Sequence, residues 1–161
     1  VPEGAVHMER AVAGTRTSPI LRIEAPAVRG SIRLFSELMR LYLTEGLGIP
    51  PEASRLARIR LAVVEVITNV VRHGYAGMEP GPVALSLERS GNDLVGIVTD
   101  RGPKFDPYEG RERGRVAQPA PEELRTGGYG LGIVDQVMDH VEHRYDPAEG
   151  NVLTLRVKLQ A

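Results

Sequence analysis

The chain contains no cysteine. That absence removes a disulfide framework, a thiolate metal site and a cysteine nucleophile together, and it is compatible with a reducing cytosol. An excess of charge of one sign is lacking too: 20 Lys and Arg stand against 21 Asp and Glu, for a formal net charge of −1. With both signs mixed along the chain, no overall field draws in nucleic acid or an anionic membrane, and partners are to be sought in local sites. No apolar run approaches the ~20 residues that span a bilayer, and no basic segment followed by an apolar stretch opens the chain as a secretory signal would. These absences predict a cytoplasmic protein with no direct nucleic-acid partner and no membrane partner.

What is present fits one domain, since 161 residues suffice to close a single core. Residues 1–18 show no periodicity and begin without methionine, so they are expected to be a tail or expression residues, with 19–161 as the domain. ILRIEAP, from Ile20, alternates as a short strand closed by Pro26. In SIRLFSELMRLYLTEGLG the apolar residues Ile32, Phe35, Leu38, Met39 and Tyr42 recur at three and four, predicting a helix with Ser31 as N-cap and Gly46 or Gly48 as its stop. A longer helix is expected from Pro51 and Glu52 to Gly74.

PVALSLER and DLVGIVTD read as two neighbouring strands turned by SGND. Between Pro107 and Thr126 lie about 20 residues without periodicity, a length that compact domains keep for a lid or binding loop. A helix in LGIVDQVMDHV, a strand near VEHRY and an alternating NVLTLRVKL follow. This order predicts an α+β fold, a two-layer sandwich of a mixed β-sheet with helices on one face.

The long helix is apolar on most of its circumference, yet Glu65, Asn69 and His73 fall within a sector of about 80° at roughly 100° per residue. The sector faces either a strip of water or a pocket. Its composition argues mildly against the strip of water, because Asn is a weak helix former and solvated edges are usually Lys, Glu and Gln, but the helix alone does not decide. Two glycine segments bear on the choice. DRGPKFDP puts Asp100 at a strand terminus with Gly102 permitting close backbone approach, although an Asp-Gly turn explains it as well. GGYGLGIVDQV places Gly127, Gly128, Gly130 and Gly132 before and within the first turn of a helix, where free N–H groups and the helix dipole favour a phosphate.

Taken in order, the E-x-x-x-N helix, D-x-G-x-x-F at Asp100, Gly102 and Phe105, and G-x-G-x-G at Gly128, Gly130 and Gly132 resemble the N box and two glycine boxes of the GHKL (Bergerat-fold) superfamily of ATP-binding domains. Within it the chain is most similar to the bacterial anti-sigma-factor serine/threonine kinases, through the stretch E-x-x-x-N-x-x-x-H-x-Y at Glu65, Asn69, His73 and Tyr75. The likeness runs from Ile20 to Leu159; the loop from Pro107 to Thr126 looks long for that family's short form.

The resemblance implies ATP and Mg²⁺ as cofactors. Asn69 would bind Mg²⁺ through its amide oxygen, Asp100 would accept the adenine N–H with Gly102 leaving room for the base, and Glu65 would be the catalytic base for the acceptor hydroxyl. Phe105, Leu131 and the three box glycines complete the implied ATP site. Arg111, Arg113, Arg115 and Arg125 would ride on the lid, with Arg125 preferred as a γ-phosphate contact, although a solvated basic loop explains any one of them. Thr154 would face the nucleotide, an orientation that strand alternation explains equally well. His73 would pack at the helix end beside Tyr75. His140 and His143 lack partners for a zinc site, and His140 reads as a cation near a helix C-terminus.

The implied function is an ATP-dependent protein serine/threonine kinase acting as an anti-sigma factor, which phosphorylates a small antagonist protein in a partner-switching system. Its partners would be a sigma factor and that antagonist, and the family implies a homodimer, with the apolar face of the helix from Ser31 to Leu43 as one surface and core burial as the simpler use of that face. The alternative is a nucleotide-dependent binding module of the same fold without phosphotransfer. A histidine-kinase catalytic domain would need a dimerisation helix pair ahead of Ile20, and an unrelated α+β adaptor would have no ATP site.

Overall fold

The computed structural model describes residues 5–9, 19–105 and 129–159. Its first strand, β1 (Ala5–Glu9), falls in the segment set aside as a tail, and pairs antiparallel with β2 (Ile20–Pro26) from Ala5 opposite Glu24 to Glu9 opposite Ile20. Part of that segment therefore belongs to the sheet. In β2 the expected alternation is seen, with Leu21, Ile23 and Ala25 buried and Arg22 and Glu24 exposed.

Helix α1 (Arg29–Leu41) buries Phe35 and Met39, one turn apart on the same face, and runs on into a wide π-helical turn, Tyr42–Gly46, that buries Tyr42 and Leu43. Ser31 is not the N-cap. Extended backbone at Val28 starts the helix earlier, Ser31 donates its N–H to the Val28 carbonyl at 2.9 Å, and its side chain is buried inside the first turn. Gly48 supplies the stop: at φ +68° its N–H donates to the Thr44 carbonyl at 3.0 Å, which a residue with a Cβ would reach only with strain.

Helix α2 (Ser54–Asn69) begins after a turn in which the Ala53 N–H meets the Pro50 carbonyl, so Pro51 and Glu52 stand outside it. Leu56, Ile59, Ala62, Val63, Val66 and Ile67 bury its inner face, and a second π-helical turn, Val70–Gly74, ends it. Strands β3 (Pro82–Ser90) and β4 (Asp93–Asp100) form the expected hairpin, with Gly91 at φ +61° in the turn. Helix α3 (Tyr129–Val137) packs against α2, as α1 does on its own account, and strands β5 (His140–Asp146) and β6 (Gly150–Lys158) close the domain.

The sheet order is β1-β2-β3-β4-β6-β5, and every pairing is antiparallel, where a mixed sheet was expected. Two helices between β2 and β3 carry the chain up and back once more than a single crossover helix would, so β3 runs opposite to β2. The lone helix between β4 and β5 does return the chain in the β4 direction, but β6 inserts antiparallel between them. All three helices lie on one face, where Ile23, Leu85, Val98 and Leu153 join Phe35, Ile59 and Val134 in one core.

Candidate functional site

The end of β4 places Asp100 directly opposite Asn151, the second residue of β6. Both are buried on the helix side of the sheet, at 8% and 5% exposure, which polar side chains tolerate only when bonded. Asn151 supplies the bonds. Its Nδ2 donates to Asp100 Oδ1 at 2.9 Å and to the Pro103 carbonyl at 2.9 Å, and its Oδ1 accepts the Phe105 N–H at 3.0 Å. The Gly102 N–H also donates to Asp100 Oδ1, at 2.9 Å. One carboxylate oxygen is thus fully engaged, and Oδ2 has no partner among the described residues.

Asp100 stands at the strand terminus, and the Asp-Gly turn is what aims its carboxylate. Gly102 is required by contact, since a Cβ there would stand 2.1 Å from the Gly74 carbonyl oxygen. Gly150 is required twice over, by φ +88° and by a Cβ position 2.1 Å from the Asp100 carbonyl oxygen. Tyr75 braces the same corner: its hydroxyl donates to the Pro82 carbonyl at 2.7 Å and accepts the Arg101 N–H at 2.8 Å. Burial, with the nearby Asp100 charge, holds this phenol above the usual tyrosine range, against the opposing pull of the Arg101 N–H.

Asp100 and Asn151 form the polar end of a cavity whose walls come from Val66, Val70, Val98, Leu131 and Leu153. Asn69, Gly74, Phe105 and His143 also line it. Flat apolar walls closed by one carboxylate oxygen suit an aromatic ring bearing an N–H donor. Asn69 enters from the last turn of α2, and its amide has no hydrogen-bond partner among the described residues. Glu65, one turn earlier, is half-buried and likewise without a partner there, but it does not line the cavity.

The predicted stripe is thus divided. His73 is exposed and off the cavity, because the wide turn at Val70–Gly74 breaks the 100° step on which the helical wheel relied. Thr154 belongs to the other face of the sheet, in a groove with Ile97 and Thr99, as alternation from Leu153 demands. Gly130, Leu131 and Gly132 sit in the first turn of α3, where Leu131 reaches the cavity and a Cβ on Gly132 would meet nothing within 4 Å. Phe105 is half-exposed at the rim. Arg111, Arg113, Arg115, Arg125 and Gly128 lie outside the described residues. His140 opens β5 rather than closing a helix, 3.6 Å from Glu142.

Sequence reasoning missed Asn151. Its only local signal is an Asn after Gly at the start of a strand, where Asn is disfavoured; its meaning depends on a pairing with Asp100 across 51 positions.

Residues 34–157 match the family described as Histidine kinase-like ATPase domain. The chain is 38% identical over 104 residues to a protein named Serine-protein kinase RsbW from Halalkalibacterium halodurans, the match covering 63% of this chain and 62% of that protein. It is 33% identical over 105 residues to Serine-protein kinase RsbW of Listeria innocua, covering 60% of this chain and 62% of that one. Against Anti-sigma F factor of Pasteuria penetrans it is 32% identical over 115 residues, covering 70% of this chain and 75% of the relative. The match thus spans less than two thirds of the length of the RsbW relatives. On the extent of the family match, the chain belongs to the histidine kinase-like ATPase family.

Proposed function

We propose that the chain is an ATP-dependent protein serine/threonine kinase that acts as an anti-sigma factor, holding a sigma factor and phosphorylating a small antagonist protein. The observation that carries this reading is the pair of polar groups at one apolar cavity that have no partner among the described residues, Asp100 Oδ2 and the Asn69 amide, with the Glu65 carboxylate one turn from Asn69. Adenine fits the apolar end, its exocyclic N–H donating to Asp100 while Asn151 and Gly102 hold that carboxylate in place. An amide oxygen without a partner among the described residues is a suitable ligand for a hard cation, so the residues present fit Mg²⁺ at Asn69. When bound, Mg²⁺ would neutralise charge on the ATP phosphates. Glu65 takes the proton of the Ser or Thr hydroxyl as its oxygen bonds the γ-phosphorus and ADP departs.

The N–H groups at Gly130, Leu131 and Gly132 open α3 and suit the phosphates, with Arg125 and Gly128 as contacts contributed from just ahead of it. The names of the relatives support the serine-kinase and anti-sigma parts of the reading. No helix among the described residues is long and apolar enough to cross a membrane. A homodimer completes the proposal.

The test is capture from the lysate of the source cell on the immobilised chain, once with Mg·ATP and once with Mg·ADP, with bound proteins and new phosphorylation identified by mass spectrometry. A sigma factor together with a small partner phosphorylated on Ser or Thr only with ATP is the expected result. Nucleotide-dependent capture without phosphorylation would replace the kinase by a binding module built on the same cavity.

A further inference from the structure

One polar side chain in the cavity wall has no role in the proposed function. His143, on β5, lines the cavity, and the strand register fixes where it stands. It lies opposite Leu153 of β6, which lies opposite Val98 of β4, so the three form one row on the helix side of the sheet. Asp100 and Asn151 belong to the row two residues along. Asp100 and His143 are therefore two strands and two residues apart, about 12 Å between backbones at ordinary sheet spacings. That is room for one planar ring between their side chains.

Alternation alone asks for an apolar residue at this position. Val98 and Leu153 in the same row are apolar, and Val141, two residues earlier on β5, packs against the core. His143 departs from that pattern with an imidazole that is half-buried as a whole and whose Nε2 is fully buried, so a polar atom is held out of water at the cavity wall. It belongs to no metal cluster: among the described residues no three His, Cys, Asp or Glu side chains converge to hold an ion. The ring keeps an interaction within the chain, so it is part of the wall before any ligand enters.

We infer that His143 is a second specificity-determining contact to the base, donating a hydrogen bond to a ring nitrogen of the adenine whose exocyclic N–H goes to Asp100. The direction of that bond follows from the base. Once N9 carries the ribose, the exocyclic amine is the only N–H donor on adenine, and N1, N3 and N7 are all acceptors. A carboxylate therefore serves the amine, and any further polar contact to the ring must come from a donor. A neutral imidazole has one N–H to give, where an apolar side chain in the same place has none. Asp100 alone selects for an amine, whereas Asp100 and His143 together select for an amine and an acceptor on the same ring. This inference rests on the nucleotide reading of the cavity and adds to it the residue that reads a second edge of the base.

The test is calorimetric titration of the full chain with Mg·ADP and with its 1-deaza, 3-deaza and 7-deaza analogues, each of which replaces one ring nitrogen by C–H. Against the parent chain, one analogue should bind about three- to tenfold more weakly than ADP, the worth of one neutral hydrogen bond. His143→Leu should weaken ADP by a similar factor and lose nothing further with that analogue, because the bond is already gone. His143→Gln, which keeps a side-chain N–H, should recover most of the loss. Thermal melts establish that each variant is folded, and the analogue series on the parent chain needs no variant at all. A wall residue that merely packs would weaken ADP and all three analogues by one common factor on replacement, and that pattern would overturn the inference. So would equal affinity of the parent for ADP and every analogue, or ADP affinity in folded His143→Leu within twofold of the parent; in both cases the nucleotide reading stands. A parent chain that binds no ADP would remove both.

Discussion

Asn151 donates through Nδ2 to Asp100 Oδ1 at 2.9 Å, and this bond turns a strand-end carboxylate into a fixed acceptor. With Oδ1 occupied by Asn151 and Gly102, only Oδ2 is available to a ligand. Replacing Asn151 by Ala removes that tether and leaves the Phe105 N–H without its acceptor. The expected result is a stability loss of about 1–3 kcal/mol and a fall in ADP affinity of about tenfold or more. Thermal melts and calorimetric titration with ADP would measure the two effects, and unchanged ADP affinity would detach Asn151 from the site.

Glu65→Ala separates binding from chemistry. Glu65 lies off the cavity lining and one turn from Asn69, so Mg·ATP affinity should stay within about threefold of the parent while phosphotransfer falls by about 10²-fold or more. Transfer retained at parental rate would remove Glu65 as the base.

The glycines should divide by what a methyl group would strike. Gly102→Ala and Gly150→Ala each force a Cβ to within 2.1 Å of a carbonyl oxygen, so each should lose about 3 kcal/mol or more, or fail to fold. Gly132→Ala meets nothing within 4 Å inside α3 and should gain about 0.5–1 kcal/mol from helix propensity. Chemical denaturation of the three variants decides the contrast. A lower ADP affinity in the stabilised Gly132→Ala would show that phosphates approach that turn.

Alkali should destabilise the fold through Tyr42. Burial, with a smaller push from the Glu88 charge, raises its phenol to about 12, and its hydroxyl donates to the Pro19 carbonyl at 2.8 Å. A folded pKa above the unfolded value of about 10 means that the unfolded chain loses this proton first. The contribution to stability is therefore intact below about pH 10 and is lost as pH rises through about 12. Denaturation at pH 8, 10 and 11 should show the decline, and Tyr42→Phe should flatten it.

How much was legible in the sequence follows from how local each signal is. Glu65 and Asn69 are four apart on one helix, and Asp100 and Gly102 share one turn, so their arrangement could be read along the chain. His73 was misplaced because a wheel presumes a constant step, and the wide turn at Val70–Gly74 changes the step between Asn69 and His73. Ser31 has the chemistry of an N-cap, but nothing local reveals that extended backbone at Val28 starts the helix first. β1 escaped because Ala5–Glu9 is only five residues long and gains its identity from pairing with β2. Asn151 depends on register between strands distant in sequence, which periodicity along one strand does not carry.

The contact between Gly74 and Gly102 joins two halves of the site through backbone alone. The end of the helix that carries Asn69 rests against the turn that aims Asp100, with space for only a hydrogen where a Cβ would stand 2.1 Å from the Gly74 oxygen. Main chain in such contact has no rotamer in which to absorb a displacement, so a shift at the end of α2 reaches the Asp100 turn undiminished. Asn69 and Asp100 should accordingly behave as one thermodynamic unit: in a double-mutant cycle for nucleotide affinity, the loss from changing both should differ from the sum of the single losses.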